Sequence, residues 1–368
     1  MVIVEHTPEV LQHRILHAIR QAGGWLPFDR FMAIALYEPG LGYYANASRK
    51  FGRMPQSGSD FVTAPELSPL FGRALAAQVA EALRHTATCE VWEFGAGSGA
   101  LAAQLLQALE RAESLPARYT IVELSAELQQ RQRAAVARWA DRVQWVTGLP
   151  AQLRGVVLGN EVLDAMPVHL LARLQGQWHE RGVAWSHEAQ RPVFADRPTT
   201  LAPPIAIEGT HDYCTELHVQ AEAFMRTVAD RLQAGLALFI DYGFPESEYY
   251  HPQRHMGTLV CHRAHQTDSD PLVDIGLKDI TAHVNFTGIA LAAQDAGLRT
   301  VGYASQARFL MNCGLVEWMA EADLRGRADA LKLITEHEMG ELFKVIALSP
   351  TADWTPLGFL HGDRTHTL

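Results

Sequence analysis

The sequence predicts an α/β fold: a Rossmann-like, mainly parallel sheet of seven strands, the last one antiparallel, with helices on both faces. Three observations predict it. From residue 89 onward, short apolar runs alternate with stretches of helical character, the rhythm of a parallel sheet. The first run ends in a glycine-rich turn, Glu93-Phe94-Gly95-Ala96-Gly97-Ser98-Gly99-Ala100, that opens a helix. After the fifth strand the chain reads helix, strand, helices and a terminal strand that pairs as an edge hairpin.

Before the sheet come helices. Val10, Leu11, Ile15, Leu16 and Ile19 recur at helical spacing over residues 8–22, between a Thr7-Pro8 start and a Gly23-Gly24 stop. Residues 28–37 and 68–83 form two more helices, and residues 40–63 an ordered loop. The strands are then 89–94, 119–123, 143–147, 155–158, 236–241, 299–304 and 343–349. Helices over 100–112, 126–139 and 280–296 connect them. The expected organisation is an N-terminal helical cap region (1–85), a sheet domain (86–350) and a C-terminal tail (351–368). Two insertions interrupt the domain: 166–211, a small antiparallel sheet, and 244–279, a substrate-side lid. Insertions at the carboxyl ends of the strands lie where such folds bind ligands.

At 368 residues, 48% hydrophobic and 20% charged, the chain suits one large domain with insertions, or two domains. A formal charge of −10 argues against a general nucleic-acid surface. Cys89, Cys214, Cys261 and Cys313 are scattered, as reduced thiols of a cytosolic protein are. With no signal-peptide pattern and no apolar run of membrane-spanning length, the expectation is a soluble cytoplasmic bacterial protein without membrane insertion.

The glycine turn points to an adenosine-bearing cofactor. Glycine lets the backbone turn sharply against a ligand, and the helix start supplies free N–H groups and a positive dipole end. Gly95, Gly97 and Ala100 fit the dinucleotide pattern, so NAD is one candidate. Glu93, Gly95, Gly97 and Gly99 fit the acid-x-G-x-G-x-G turn that holds S-adenosyl-L-methionine (SAM). Glu123, ending strand two, can accept both ribose hydroxyls of either cofactor. Glu93, placed to approach a cationic amino-acid end, and the terminal edge hairpin favour SAM. Gly148 and Leu149 follow strand three, in position to pass over an adenine.

Strand four runs into Asn160, Glu161 and Asp164, where Asn160 adjoins the cofactor and the two acids adjoin the reacting group. A guanidinium needs planar, bidentate acceptors, which paired carboxylates provide. Acids at a helix start are also favoured for ordinary reasons. Thr63 as helix cap and Pro65 in the first turn are assigned to the cofactor side; Asp60 and Glu66 to the substrate side, with Asp241 and Tyr242 at strand five. Asp279 is expected to cap the helix over 280–296, leaving His283 one turn in, as a pocket base or a plain helical histidine. His251, His255, His262 and His265 match no strong zinc spacing, so no metal is expected. Neither a G-x-S-x-G elbow nor a phosphate loop is present.

Six segments together carry a family resemblance: 32–44 (MAIALYEPGLGYY), 58–71 (GSDFVTAPELSPLF), 93–101 (EFGAGSGAL), 160–169 (NEVLDAMPVH), 241–243 (DYG) and 279–286 (DITAHVNF). In order, and over nearly the whole chain, they resemble the MidA-like family of SAM-dependent methyltransferases. The resemblance implies a class I methyltransferase fold with SAM as cofactor. The family includes the mitochondrial complex I assembly factor that symmetrically dimethylates an arginine on a complex I subunit, so the resemblance further implies protein arginine N-methylation, of a respiratory complex I-type subunit or another protein, carried here by Glu161 and Asp164. It implies a protein substrate bearing arginine and is compatible with a homodimer. Gly58-Ser59-Asp60 departs from the family's direct Gly-Asp, which leaves the role of Asp60 open. A SAM-binding assembly chaperone and a small-molecule methyltransferase are the alternative readings.

Overall fold

Runs of apolar and β-branched residues, buried on both faces, build the central sheet. Its strands are β1 (Glu90–Phe94), β2 (Arg118–Val122), β3 (Val143–Val146), β4 (Leu153–Asn160), β5 (Leu232–Phe244), β6 (Arg299–Ser305) and β7 (Phe343–Ser349). Every residue of β7 is buried. In a computed structural model that describes residues 7–46, 62–351 and 353–368, these strands lie in the order β3-β2-β1-β4-β5-β7-β6. Asp60 therefore lies outside the described residues. All neighbours are parallel except β7, which runs antiparallel to β5 and β6. The expected seven-strand path with an antiparallel last strand is the one found.

The strand order reverses between β1 and β4, the point at which open α/β sheets bind ligands. Register sets Phe94 beside both Val122 and Gly159. The residues that follow these three positions accordingly leave the sheet side by side.

The chain divides into two units. The sheet unit holds 62–163, 222–245 and 286–368. The insert unit holds 164–221 and 246–285 together with the N-terminal helices. Residues 62–85, grouped by sequence with those helices, belong to the sheet unit. There the helix Pro69–His85 starts on Ser68, whose hydroxyl accepts from Leu70 N at 3.3 Å. It buries Phe71, Leu75 and Val79 in one core with Leu101, Leu105 and Leu109 of the helix Ala100–Arg111.

The insert unit has helices Thr7–Gln21 and Phe28–Tyr37 and two antiparallel sheets. The larger orders Leu26–Pro27, Gln177–Ser186, His169–Leu174 and Tyr213–Leu217, with Arg191–Pro198 also paired to Gln177–Ser186. The smaller joins Gln266–Asp268, Val260–Arg263 and Asp279–Thr281. Phe28, Phe31, Leu36, Leu170, Val183 and Ile280 share its core. No helix among the described residues is long and apolar enough to cross a membrane.

Two expectations fail. The helix expected over 280–296 begins only at Phe286; Asp279–Thr281 and Val284–Asn285 are strands. Asp279 caps nothing: its Oδ2 accepts from Tyr44 Oη at 2.7 Å and its Oδ1 from Ile280 N at 2.9 Å. Ala282 N donates to the Asp164 carbonyl at 2.9 Å, so the backbone donors of this stretch are satisfied outside any helix. Thr63 is extended at the start of the short helix Ala64–Leu67, but its side chain makes no cap bond. Pro65 lacks an N–H, which removes one of the donors a cap would serve.

Phe359 is 1% exposed and packs on Phe309 at 5.4 Å between ring centroids. Phe359→Ala should cost about 3–5 kcal/mol. Urea unfolding followed by tryptophan fluorescence would show the midpoint fall with the slope unchanged; a loss below about 1 kcal/mol would remove this segment from the core.

Candidate active site

β1 stops at Phe94 because the next turns require left-handed backbone. Gly95, Gly97 and Gly99 have φ of 62°, 51° and 86°. A Cβ on Gly95 would lie 2.8 Å from Val162 Cγ2, and one on Gly99 3.0 Å from the Cα of Gln132. Only glycine meets both demands at low cost. Gln132, fully buried, braces the turn: its Nε2 donates to the Gly97 carbonyl at 3.0 Å and to Glu123 Oε2 at 3.1 Å. Its Oε1 accepts from Trp145 Nε1 at 2.9 Å. One amide thus links the glycine turn, the end of β2 and β3. The Ser98 hydroxyl donates to Glu66, which sets Glu66 against the glycine turn. Pro65 is held as well, its carbonyl accepting from Gln104 Nε2 at 2.7 Å.

Glu93 is 1% exposed, and its Oε2 accepts from Tyr119 Oη at 2.6 Å. Burial pushes its pKa up to about 7, against a smaller lowering by the tyrosine. Glu123 is half-buried at the end of β2, where its Oε1 accepts from Ser125 N at 2.8 Å. Gly148 is exposed with open space around it, and the Leu149 carbonyl accepts from Arg231 Nη1 at 2.7 Å.

The ends of β4 and β5 are tied together. Asp241, 1% exposed, accepts at Oδ2 from Val162 N (3.1 Å) and Leu163 N (2.9 Å), and at Oδ1 from Tyr242 N (3.0 Å). Its carboxylate is committed to backbone. Tyr242 packs its ring on Phe343 at 5.2 Å. Between these anchors Glu161 takes φ of 54°, uncommon for a residue with a side chain, while its N–H donates to the Ile240 carbonyl at 2.9 Å. Asn160 Nδ2 donates to Glu161 Oε1 at 3.0 Å. Asn160 Oδ1 is buried and meets no donor among the described residues.

The sheet unit therefore gathers Glu93, Gly95, Gly97, Gly99, Glu123, Asn160 and Glu161 at the carboxyl ends of β1, β2 and β4. Asp164 and His283 belong to the insert unit. Asp164 is 3% exposed in a turn, so it is no helix-start acid. Tyr37 Oη donates to the neighbouring Ala165 carbonyl at 2.8 Å. Burial, then Asp279 and Asp164, hold the Tyr37 phenol well above its usual range. His283 stands between two short strands, not one turn into a helix, and its N–H donates to Thr258 Oγ1 at 3.1 Å. Gln132 was missed by sequence reasoning. It stands in a helix too polar to show a face.

Residues 74–304 match a family described as S-adenosyl-L-methionine-dependent methyltransferase. A COG1565 superfamily member from Burkholderia thailandensis, solved bound to S-adenosyl-homocysteine, is 50% identical with a TM-score of 0.94, over 98% of this chain and 97% of that one. The mitochondrial protein arginine methyltransferase NDUFAF7 of Danio rerio is 27% identical over 372 residues, 90% of this chain and 85% of the relative. The NDUFAF7 homolog of Drosophila melanogaster is 27% identical over 373 residues, 89% of this chain and 82% of the relative.

Two outcomes follow from this geometry. The Glu93 pKa is raised on folding, so its contribution to stability is full below about pH 4.5 and is lost as pH rises through about 7. Stability measured from pH 4.5 to 7.5 should decline more steeply in the wild type than in Glu93→Gln; parallel curves would exclude a buried, titrating Glu93. Asp241→Ala should destabilise by about 2–4 kcal/mol, because three backbone N–H groups, those of Val162, Leu163 and Tyr242, lose their acceptor. Asp241→Asn, which keeps an acceptor oxygen, should lose less in the same denaturation assay.

Proposed function

Because the chain belongs to this family of S-adenosyl-L-methionine-dependent methyltransferases, we propose that it methylates arginine side chains of a protein substrate, with Glu161 receiving the guanidinium. SAM is the cofactor, and the residues at the strand ends fit it. The buried Asn160 Oδ1, which meets no donor among the described residues, can accept an N–H, as the amino group of SAM offers. Glu93, held near pH 7 by burial, gains from a cation beside it. Glu123 can accept ribose hydroxyls, and the three glycines keep side chains away from the turn.

The observation that carries the reading is Glu161: an acid held in left-handed backbone, next to an asparagine with an unfilled acceptor, at the carboxyl end of β4. Such strain costs on the order of 1–3 kcal/mol and persists where surrounding bonds over-determine it. The Ile240 and Asp241 contacts do so here. When bound, SAM supplies an electrophilic methyl group. The Glu161 carboxylate accepts two guanidinium N–H bonds, orients the plane and concentrates electron density on the opposite nitrogen. The relatives named as arginine methyltransferases support this acceptor. We take symmetric dimethylation of a respiratory complex I-type subunit as the first product to seek.

Glu161→Gln should lower methyl transfer at least about 100-fold while SAM affinity stays within a few-fold by calorimetry. A large affinity loss would make Glu161 a cofactor ligand instead. Mass spectrometry of cells with and without the gene should show a methylarginine site that vanishes on deletion; if none vanishes, the arginine reading falls. SAM binding at pH 6 should release a proton from Glu93, seen as a dependence of binding heat on the buffer's ionisation enthalpy and absent in Glu93→Gln.

A further inference from the structure

The helix Ala126–Ala135, in the sheet unit, is mostly polar and buries two side chains, Leu128 and Gln132. Gln132 is 0% exposed. Burying an amide is unfavourable unless it is hydrogen-bonded, and here both amide protons are used. Nε2 donates to the Gly97 carbonyl at 3.0 Å and to Glu123 Oε2 at 3.1 Å, while Oε1 accepts from Trp145 Nε1 at 2.9 Å. The amide has one workable orientation. A backbone carbonyl only accepts and an indole N–H only donates. Reversed, the amide would set oxygen against oxygen and N–H against N–H.

Glu123 is held from three positions at the start of this helix. Ser125 N donates to its Oε1 at 2.8 Å, Gln129 Nε2 to its carbonyl at 2.9 Å and Gln132 Nε2 to its Oε2. Positions 125, 129 and 132 are four and three apart, which sets them on one side of a helix. Among the described residues each carboxylate oxygen thus accepts one bond, and each has two lone-pair sites. One acceptor site per oxygen is left for a ligand. A free glutamate loses rotamer freedom when a ligand fixes it. In Glu123 that loss occurs on folding, which favours binding.

We propose that Gln132 is a positioning residue for the cofactor: its amide holds Glu123 ready to accept a vicinal pair of ribose hydroxyls and ties that acid to the glycine turn. Being fully buried, it acts through Glu123 and Gly97. Gly97, Glu123 and Trp145 stand at or just beyond the carboxyl ends of β1, β2 and β3, so one amide fixes the spacing between turn and acid. Trp145 keeps the amide oxygen turned away from the acid, and the Arg133 guanidinium lies over the Trp145 ring at 4.0 Å. The inference rests on SAM as cofactor and on Glu123 as the acid for its ribose, and not on the arginine reading.

The test is binding, measured by calorimetry on the full chain with S-adenosylhomocysteine and with its 2′,3′-dideoxy analogue; it needs no methyl acceptor. The wild type should bind the hydroxylated ligand about 100-fold more tightly, as two hydrogen bonds to a charged group give. Gln132→Met keeps the side-chain length and removes all three bonds. It should weaken S-adenosylhomocysteine about 10- to 100-fold and the dideoxy analogue less than about threefold, so that the preference for hydroxyls collapses. A loss shared equally by both ligands, as general loosening of the fold would give, leaves the preference unchanged and overturns the proposal. Should Gln132→Met fail to fold, Trp145→Phe, which keeps an aromatic ring and frees the amide oxygen, carries the same test. Its preference should drop at least about threefold, and an unchanged preference again overturns the proposal. A wild type that binds both ligands alike removes Glu123 as the ribose acid and the role of Gln132 with it. An acceptor other than arginine changes none of these outcomes.

Discussion

The carboxylate of Asp241 is the constraint on which the candidate site depends. By accepting the N–H groups of Val162 and Leu163, it fastens the exit of one central strand to the end of the next. The chain leaving the sheet at Asn160 must then turn at once, and Glu161 absorbs that turn as a left-handed residue. Val162, so held, stands where a side chain on Gly95 would have to go. Glycine at 95, the conformation of Glu161 and the position of Asn160 are thus parts of one geometric solution.

Burial governs the electrostatics of both units, with opposite effects on acids and bases. Glu93 is held toward its neutral form by loss of water, and so is His218. In both units the result is a group shifted toward its uncharged form. The two environments are built differently. Glu93 accepts from the Tyr119 hydroxyl, whereas His218 Nε2 lies 3.0 Å from the Tyr249 hydroxyl.

Much of the sheet was legible because its signals are local. Strand and helix runs repeat at their own periods, and the glycine turn writes its backbone demands into three adjacent positions. What was not legible depends on distant partners. Asp279 reads as a helix cap until Tyr44, 235 residues away, is seen to donate to it. Glu66 gives no local sign that Ser98, 32 residues away, donates to it. Gln132 gives no local sign that it joins the glycine turn to the acid of β2. Asp241 looks like a free acid in the sequence, and only the fold shows which backbone groups donate to it.

The C-terminal segment has a consequence for biosynthesis. Leu357 N and Gly358 N donate to Glu81 and Gln78, partners 276 and 280 residues earlier, and Phe359 fills the space beside Phe309. The helix carrying Glu81 and Gln78 leaves the ribosome long before its partners exist. Its binding surface for residues 357–359 therefore stays open until they have emerged, and the sheet unit closes only then. Non-local closure of this kind slows folding and exposes apolar surface to other nascent chains. Ribosome stalling or premature termination anywhere upstream would release a chain with its core uncovered, a natural client for chaperones and proteases.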